Sequence, residues 1–331
     1  MEQEYKYKVC TVCLTYNQKP YIAETLRGFT MQDVSFPVVY CIVDDASTDG
    51  ETDVLREWAE ENLIFGEGSG AQWEKLDYGE RLIASLKKNN NCLIVVILLK
   101  ENHYQLKKAT FPYFSEWYRL SKYISQCEGD DYWIDINKLK KEVEFLDNNL
   151  DYGMCCGGIQ TLKGGQIITK PNSQSRIIGF ENLLYHNSIA TLTVLYRSDL
   201  FWKYHAEIDP YNRGWKMGDY PRWLWIASKS KVHHFDEVFG VYRVLEESAS
   251  HSQDYRKRLA FLESARDIRL FFAEKYGLGN DVVTKINDVF YREKSMLVKG
   301  KDKHAYSDAL KHISDKTFKE RVKYILSVFS L

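Results

Sequence analysis

Short, nearly continuous apolar runs alternate with helical periodicity through the first 150 residues. Residues 9–14 and 38–43 have the pattern of strands covered on both faces. Between them Pro20 marks a helix start, and Ile22, Leu26 and Phe29 recur at helical spacing. The second run ends in Asp44-Asp45-Ala46-Ser47-Thr48-Asp49-Gly50, a cluster of turn and N-cap residues. Val54, Leu55 and Trp58 then begin another amphipathic helix. Residues 93–99 predict a third buried strand, flanked by helical patterns over 76–88 and about 112–121, and residues 123–127 predict a fourth. Leu139, Val143 and Leu146 share one helix face, opposite Lys140, Lys141, Glu144 and Asp147. This alternation predicts an α/β fold, a mostly parallel sheet with helices on both faces. Strands one and two, joined by a single helix, take the right-handed crossover.

Beyond Asp151 the pattern loosens. Residues 159–169 read as a hairpin about Gly164-Gly165, residues 191–197 and 238–244 as further strands, and from Ser252 the chain becomes helical. No internal repeat or low-complexity linker is present. The expected organisation is a domain over 1–245, in two halves of about 1–135 and 136–245, followed by a helical extension over 246–331. That extension ends basic: residues 299–331 hold eight Lys/Arg against four Asp/Glu. A basic amphipathic helix over 318–329 either touches an anionic membrane surface or docks on its own domain.

Composition narrows the function. At 331 residues the chain is long enough for roughly one to three domains. With 45 Lys/Arg against 46 Asp/Glu, no overall charge favours nucleic acid. Seven cysteines include Cys10 and Cys13, but positions three apart on a strand face opposite ways, so free, buried thiols are expected. The start carries charges and no apolar signal core, and the longest apolar run, 92–99, falls well short of the roughly 20 residues of a spanning helix. A cytoplasmic protein is expected, peripheral to the inner face of the membrane where the basic tail is the part that touches it rather than docked on its own domain.

In an open α/β sheet ligands bind at the carboxyl ends of the strands. Three acidic clusters fall there: Asp44-Asp45, Glu128-Gly129-Asp130-Asp131 and Gly218-Asp219-Tyr220. Turn and N-cap chemistry accounts equally for Asp44, Asp45 and Asp49. Glu128 to Asp131 is different, because adjacent carboxylates repel and this group follows an apolar strand abruptly, with bulky Tyr132 and Trp133 next. A hard divalent cation shared with substrate phosphates would neutralise it.

Taken in order, Thr15-Tyr16-Asn17 after strand one, Val43-Asp44-Asp45-Ala46-Ser47-Thr48-Asp49-Gly50, and Cys127-Glu128-Gly129-Asp130-Asp131-Tyr132-Trp133 resemble the family-2 glycosyltransferases of GT-A fold. The last motif is similar to the branch that builds bacterial surface polysaccharides. The resemblance covers about residues 8–245. It implies a metal-dependent, inverting transfer of a sugar from a nucleotide-sugar donor to a saccharide or lipid-linked acceptor. It also implies that Thr15, Tyr16 and Asn17 border the nucleotide and that Asp45, with Asp44 as the alternative, meets the base edge. Glu128-Gly129-Asp130 stands where the family carries D-x-D, with Glu in place of the first Asp. Asp130 and Asp131 would contact ribose and hold Mg²⁺ or Mn²⁺, Asp131 being the preferred metal ligand. Asp219 matches the family's catalytic base, standing in G-D-Y rather than E-D.

Further candidates are Asn102, at a sheet end near the donor, and His251, within reach of a diphosphate or metal. Trp133 is a bulky aromatic beside the acids, and Trp215, Trp223 and Trp225 are either an acceptor platform or core. His233 and His234 read as structural. Two alternatives have less support. A nucleotidyltransferase making nucleotide sugars needs a glycine-rich basic loop after strand one, and residues 15–20 hold no glycine and only Lys19. An inactive carbohydrate-binding protein would keep aromatics and lose acids. No G-x-G-x-x-G follows strand one, which disfavours a dinucleotide-dependent dehydrogenase.

Overall fold

A computed structural model describes residues 4–66, 68–169, 176–245 and 252–329. In the first third the expected alternation holds: β1 (Tyr7–Thr15), α1 (Ile22–Thr30), β2 (Val38–Asp44) and α2 (Glu51–Asn62). Next come β3 (Glu74–Leu76), β4 (Gly79–Leu86) and β5 (Asn89–Leu99). A short helix α3 (Ser115–Leu120) leads into β6 (Ser121–Gln126) and β7 (Tyr132–Trp133), and α4 (Lys138–Asn148) follows. The hairpin is β8 (Tyr152–Lys163) with β9 (Gln166–Thr169). The chain continues through β10 (Arg176–Ile177), α5 (Phe180–Tyr185), β11 (Leu195–Arg197), α6 (Ser198–Ile208), α7 (Tyr220–Lys229) and β12 (Lys231–Val244). Four helices end it: α8 (Tyr255–Lys275), α9 (Asn280–Val298), α10 (Lys303–His312) and α11 (Phe318–Phe329).

The sheet runs β10-β12-β8-β11-β6-β1-β2-β5-β4-β3. Its four central strands, β6, β1, β2 and β5, are parallel, and antiparallel strands extend it on both sides. The central strands are apolar because both faces are covered: all of Val38–Asp44 is buried. Against one face pack Ile22, Leu26 and Phe29 of α1, Leu55 of α2, and Leu139, Val143 and Leu146 of α4. All seven cysteines are free and buried, as expected.

Two expectations about elements fail. Residues 76–88, expected to be helical, form β3 and β4, because the unpaired edge of β5 recruits them into a hairpin. Leu82, Ala84 and Leu86 are buried at a period of two. At Gly79 a Cβ would sit 1.9 Å from the Leu98 carbonyl oxygen, so only glycine lets the strands close there. Within 191–197, expected to be a strand throughout, residues 191–193 form a 3₁₀ turn and only the last three pair with β6 and β8.

The chain divides into two compact units. The first comprises Met1–Ile177, Ile189–Lys203 and Ser230–Arg243, and carries the sheet; the second comprises Ile178–Ser188, Tyr204–Lys229 and Val244–Leu331. The chain last enters the second unit at Val244, beside the boundary expected at 245, but that unit also draws in two earlier segments. Within it α5 packs on α7 and α9, α7 on α8, α8 on α9, α9 on α10, and α10 on α11. Among the described residues no helix is long and apolar enough to cross a membrane.

Candidate active site at the carboxyl ends of the central strands

β1 pairs with β2 on one side and β6 on the other, so the strand order reverses at β1, the position where an open α/β sheet binds ligands beyond its strand ends. Register brings the candidate residues there. Thr15 lies opposite Asp44, the Asp45 N–H donates to the Thr15 carbonyl at 2.9 Å, and the Cys127 and Gly129 N–H groups continue the ladder to Val12 and Leu14 at 3.1 and 3.2 Å. Glu128, Asp130 and Asp131 therefore sit directly beyond β1.

The turn that carries these acids is held from below. The Thr25 hydroxyl of α1 is within 3.0 Å of the Gly129 carbonyl and 2.6 Å of that of Asp131. A Cβ on Gly129 would meet Thr15 Oγ1 at 2.1 Å, so the glycine allows the turn to lie against β1. Carboxylate oxygens of Glu128, Asp130 and Asp131 lie within 4.8 Å of one another. Glu128 is exposed, Asp130 half-buried and Asp131 only 2% exposed. Burial holds the Asp131 carboxyl far above the usual carboxylate range, and the neighbouring Asp130 and Glu128 charges add to that. Burial raises Asp130 as well, against the pull of Arg243. Three acids this close, one of them buried, fit a hard divalent cation, which would relieve both their repulsion and their desolvation.

Arg243, at the end of β12, is a residue that sequence reasoning did not assign to the site. Its backbone N–H donates to Asp131 Oδ1 at 2.7 Å, its Nε to the Asp130 carbonyl at 2.9 Å, and its guanidinium pairs with Glu24 and lies 4.3 Å from the centre of the Tyr21 ring. Glu51 was missed too. Fully buried at the start of α2, its carboxylate accepts from the Thr15 hydroxyl, the Gln18 N–H at 2.6 Å and the Ser47 hydroxyl at 3.0 Å. Burial raises its carboxyl despite these donors.

The other candidates build the rim. Asp44 accepts from the Ser47 N–H at 2.9 Å and the Thr52 hydroxyl at 2.5 Å, the expected turn chemistry. Each Asp45 carboxylate oxygen takes one backbone N–H, from His103 at 2.7 Å and Tyr104 at 3.0 Å, so Asp45 anchors the loop after β5. Asn102 closes that loop through Asp45 O and the Gln105 N–H. Asn17, in the left-handed region at φ 54°, donates its N–H to Ser47 Oγ and accepts from the Thr48 N–H, joining the turns after β1 and β2. Tyr16 is half-buried between them in sequence.

Trp133 is a core residue: 2% exposed, edge-on to Phe29, its indole N–H donating to Leu192 O at 2.6 Å. His233 stacks on Phe145 and His234 is buried, both structural as expected. His251 lies outside the described residues. In the second unit Asp219 is half-buried immediately before α7, where its Oδ1 accepts from the Tyr220 N–H at 2.7 Å and its carbonyl from Trp223 N–H at 3.0 Å. Trp223 and Trp225 are core, and Trp215 is half-buried against Phe271 and Phe272.

The fold recurs in solved structures. The mannosyltransferase PcManGT of Pyrobaculum calidifontis, in complex with GDP-Man and Mn²⁺, is similar over 99% of this chain and 83% of its own, at 13% identity and a TM-score of 0.54. Residues 1–349 of S. aureus TarS, in complex with UDP-GlcNAc, match 97% of this chain and 79% of that one at 16% identity, with a TM-score of 0.53. The chain has the fold of these two structures. Among curated proteins, uncharacterized proteins of Mycobacterium tuberculosis and Mycobacterium bovis are 30% identical over 189 residues, which is 56% of this chain. The chain spans about half the length of these relatives, since the match covers 46% of them. No protein-family model matches the chain.

Proposed function

We propose that the chain is a metal-dependent, inverting glycosyltransferase that moves a sugar from a nucleotide-sugar donor to a saccharide or lipid-linked acceptor in surface polysaccharide synthesis. One observation carries this reading: three carboxylates converge beyond the strand-order reversal of a glycosyltransferase fold, one of them buried. Two neighbours of this fold were solved with UDP-GlcNAc and with GDP-Man and Mn²⁺, which supports a nucleotide-sugar donor and a divalent cation.

In this reading Asp131 and Asp130 hold Mg²⁺ or Mn²⁺, and Glu128 and Asp130 face the ribose. A cation held there supplies Lewis-acid stabilisation to the charge left on the departing diphosphate. Thr15, Tyr16 and Asn17 border the nucleotide. Asp45, whose oxygens keep lone pairs beyond the two backbone N–H bonds, offers them to the base edge. Arg243 fixes the orientation of the acidic turn through Asp130 and Asp131. Asp219, on the second unit, takes the proton from the acceptor hydroxyl as that oxygen attacks the anomeric carbon. The bond to the diphosphate breaks on the opposite face, so configuration inverts without a covalent enzyme intermediate.

The test is nucleoside-diphosphate release from UDP-, GDP- and dTDP-sugars with Mn²⁺ or Mg²⁺ and a range of acceptors. Release is expected from at least one donor, and release from none contradicts the proposal. Asp219→Asn is expected to keep donor and metal binding and to lose about 10²-fold or more in turnover, the usual worth of a general base. Turnover at the wild-type rate would remove Asp219 from that role.

A further inference from the structure

The C-terminal helices carry a feature that the transfer chemistry does not use. Along α11, Phe318, Val322, Ile325 and Leu326 recur at i, i+4, i+7 and i+8 and are 83%, 40%, 54% and 60% exposed. Beside this ridge, Lys299, Lys303 and Lys323 with Tyr306 and Leu326 line a cavity of about 290 Å³. Three of the four acids of residues 299–331 are already engaged. Glu320 pairs with Arg292, Asp308 with Lys294 and His312, and Asp302 caps α10 through the Ala305 N–H. None of the three cavity lysines forms an ion pair among the described residues. The local excess of positive charge is thus concentrated where the apolar ridge meets the cavity.

We infer that α9–α11 form a docking surface for an anionic phospholipid bilayer, with the three lysines receiving lipid phosphate and the α11 ridge entering the boundary between headgroups and acyl chains. Charge and shape favour this occupant. Lysines without carboxylate partners are complementary to a phosphate-rich plane. A single row of aromatic and branched residues, flanked by Lys319, Arg321 and Lys323, is the pattern of a helix lying in the interface. The inference is independent of the transferase reading, since it concerns binding alone.

Flotation of the full chain with vesicles tests it. Vesicles of phosphatidylcholine containing about one third phosphatidylglycerol are compared with pure phosphatidylcholine, at low and at physiological ionic strength. The chain is expected to float with the anionic vesicles only, and less at the higher salt. Lys299→Glu/Lys303→Glu/Lys323→Glu and, separately, Phe318→Ser/Ile325→Ser are each expected to lower binding tenfold or more with unchanged thermal unfolding. The exposed second pair guards against a variant that fails to fold. No flotation at low salt overturns the inference, as does binding undiminished in both variants. So does light scattering that finds a dimer of wild-type chain dissociated by the Phe318/Ile325 changes, which would assign the ridge to a second copy.

Discussion

Replacing Gly129 by alanine probes how the acidic turn is held. The added methyl would lie 2.1 Å from Thr15 Oγ1 and 2.6 Å from Thr15 Cβ. Thr15 cannot give way cheaply: it lies opposite Asp44 in the parallel ladder, and its hydroxyl is bound to buried Glu51. The turn is pinned as well, by the Gly129 N–H to Leu14 and by Thr25 beneath its carbonyl. Forcing a methyl group into packing this tight costs about 1–3 kcal/mol. If the turn moves rather than the strand, that cost appears in cation affinity as a loss of roughly 5- to 150-fold, since 1.4 kcal/mol is a factor of ten. Mn²⁺ titration followed by water-proton relaxation reads the affinity, and urea unfolding reads the stability. A Gly129→Ala chain with wild-type Mn²⁺ affinity and wild-type stability would refute the argument that close approach of this turn to β1 builds the site.

Two predictions concern groups behind the site. Lys138 and Glu142 form an ion pair with no exposure, Nζ to Oε2 at 2.7 Å, with the ammonium 4.3 Å from the centre of the Trp133 ring. Lys138→Met strands the Glu142 carboxylate and is expected to cost about 3–5 kcal/mol in urea unfolding. Lys138→Met/Glu142→Leu should recover most of that, and a double variant as unstable as the single one would contradict it. Burial pushes the Glu142 carboxyl up to about 7 from 4.5, so the folded chain holds that proton more tightly than the unfolded chain. Its contribution favours folding below pH 4.5 and is lost as pH rises through 7, on the order of 3 kcal/mol. The stability of wild type relative to the double variant should fall across that window, and a flat difference would count against it. Asp45→Asn replaces one of two acceptors with a donor facing a backbone N–H. The change should cost about 1–3 kcal/mol and speed hydrogen exchange at residues 102–108, whereas unchanged exchange would show that Asp45 does not anchor the loop.

Local pattern made the sheet and its acidic ends legible, because apolar strands stop abruptly at polar turns. Residues 9–14, 38–43 and 93–99 are strands, and Glu128 to Asp131 fall at the end of one. What escaped the sequence was non-local. Leu82, Ile83 and Leu86 fit a helical period as well as a strand, and only the open edge of β5 chose between them. Glu51 reads as an acid in the first turn of a helix, where the macrodipole favours one. Its burial under Thr15, Gln18 and Ser47 depends on two turns meeting in space. Arg243 reaches Asp131 across 112 residues of sequence, a separation that no local periodicity records. Of the acids weighed as turn chemistry, Asp44 and Asp49 hold their own turn while Asp45 holds a distant loop, and Trp133 shows how an aromatic beside a motif can serve the core.

The central claim is that the Glu128–Asp130–Asp131 group binds the donor diphosphate through a divalent cation. Calorimetric titration of UDP and GDP into wild type and Asp131→Asn, with Mn²⁺ and with chelator, addresses it directly. The account predicts that one nucleoside diphosphate binds wild type with Mn²⁺, and that its affinity falls about tenfold or more with chelator or on Asp131→Asn. Binding of equal strength under all these conditions would contradict it.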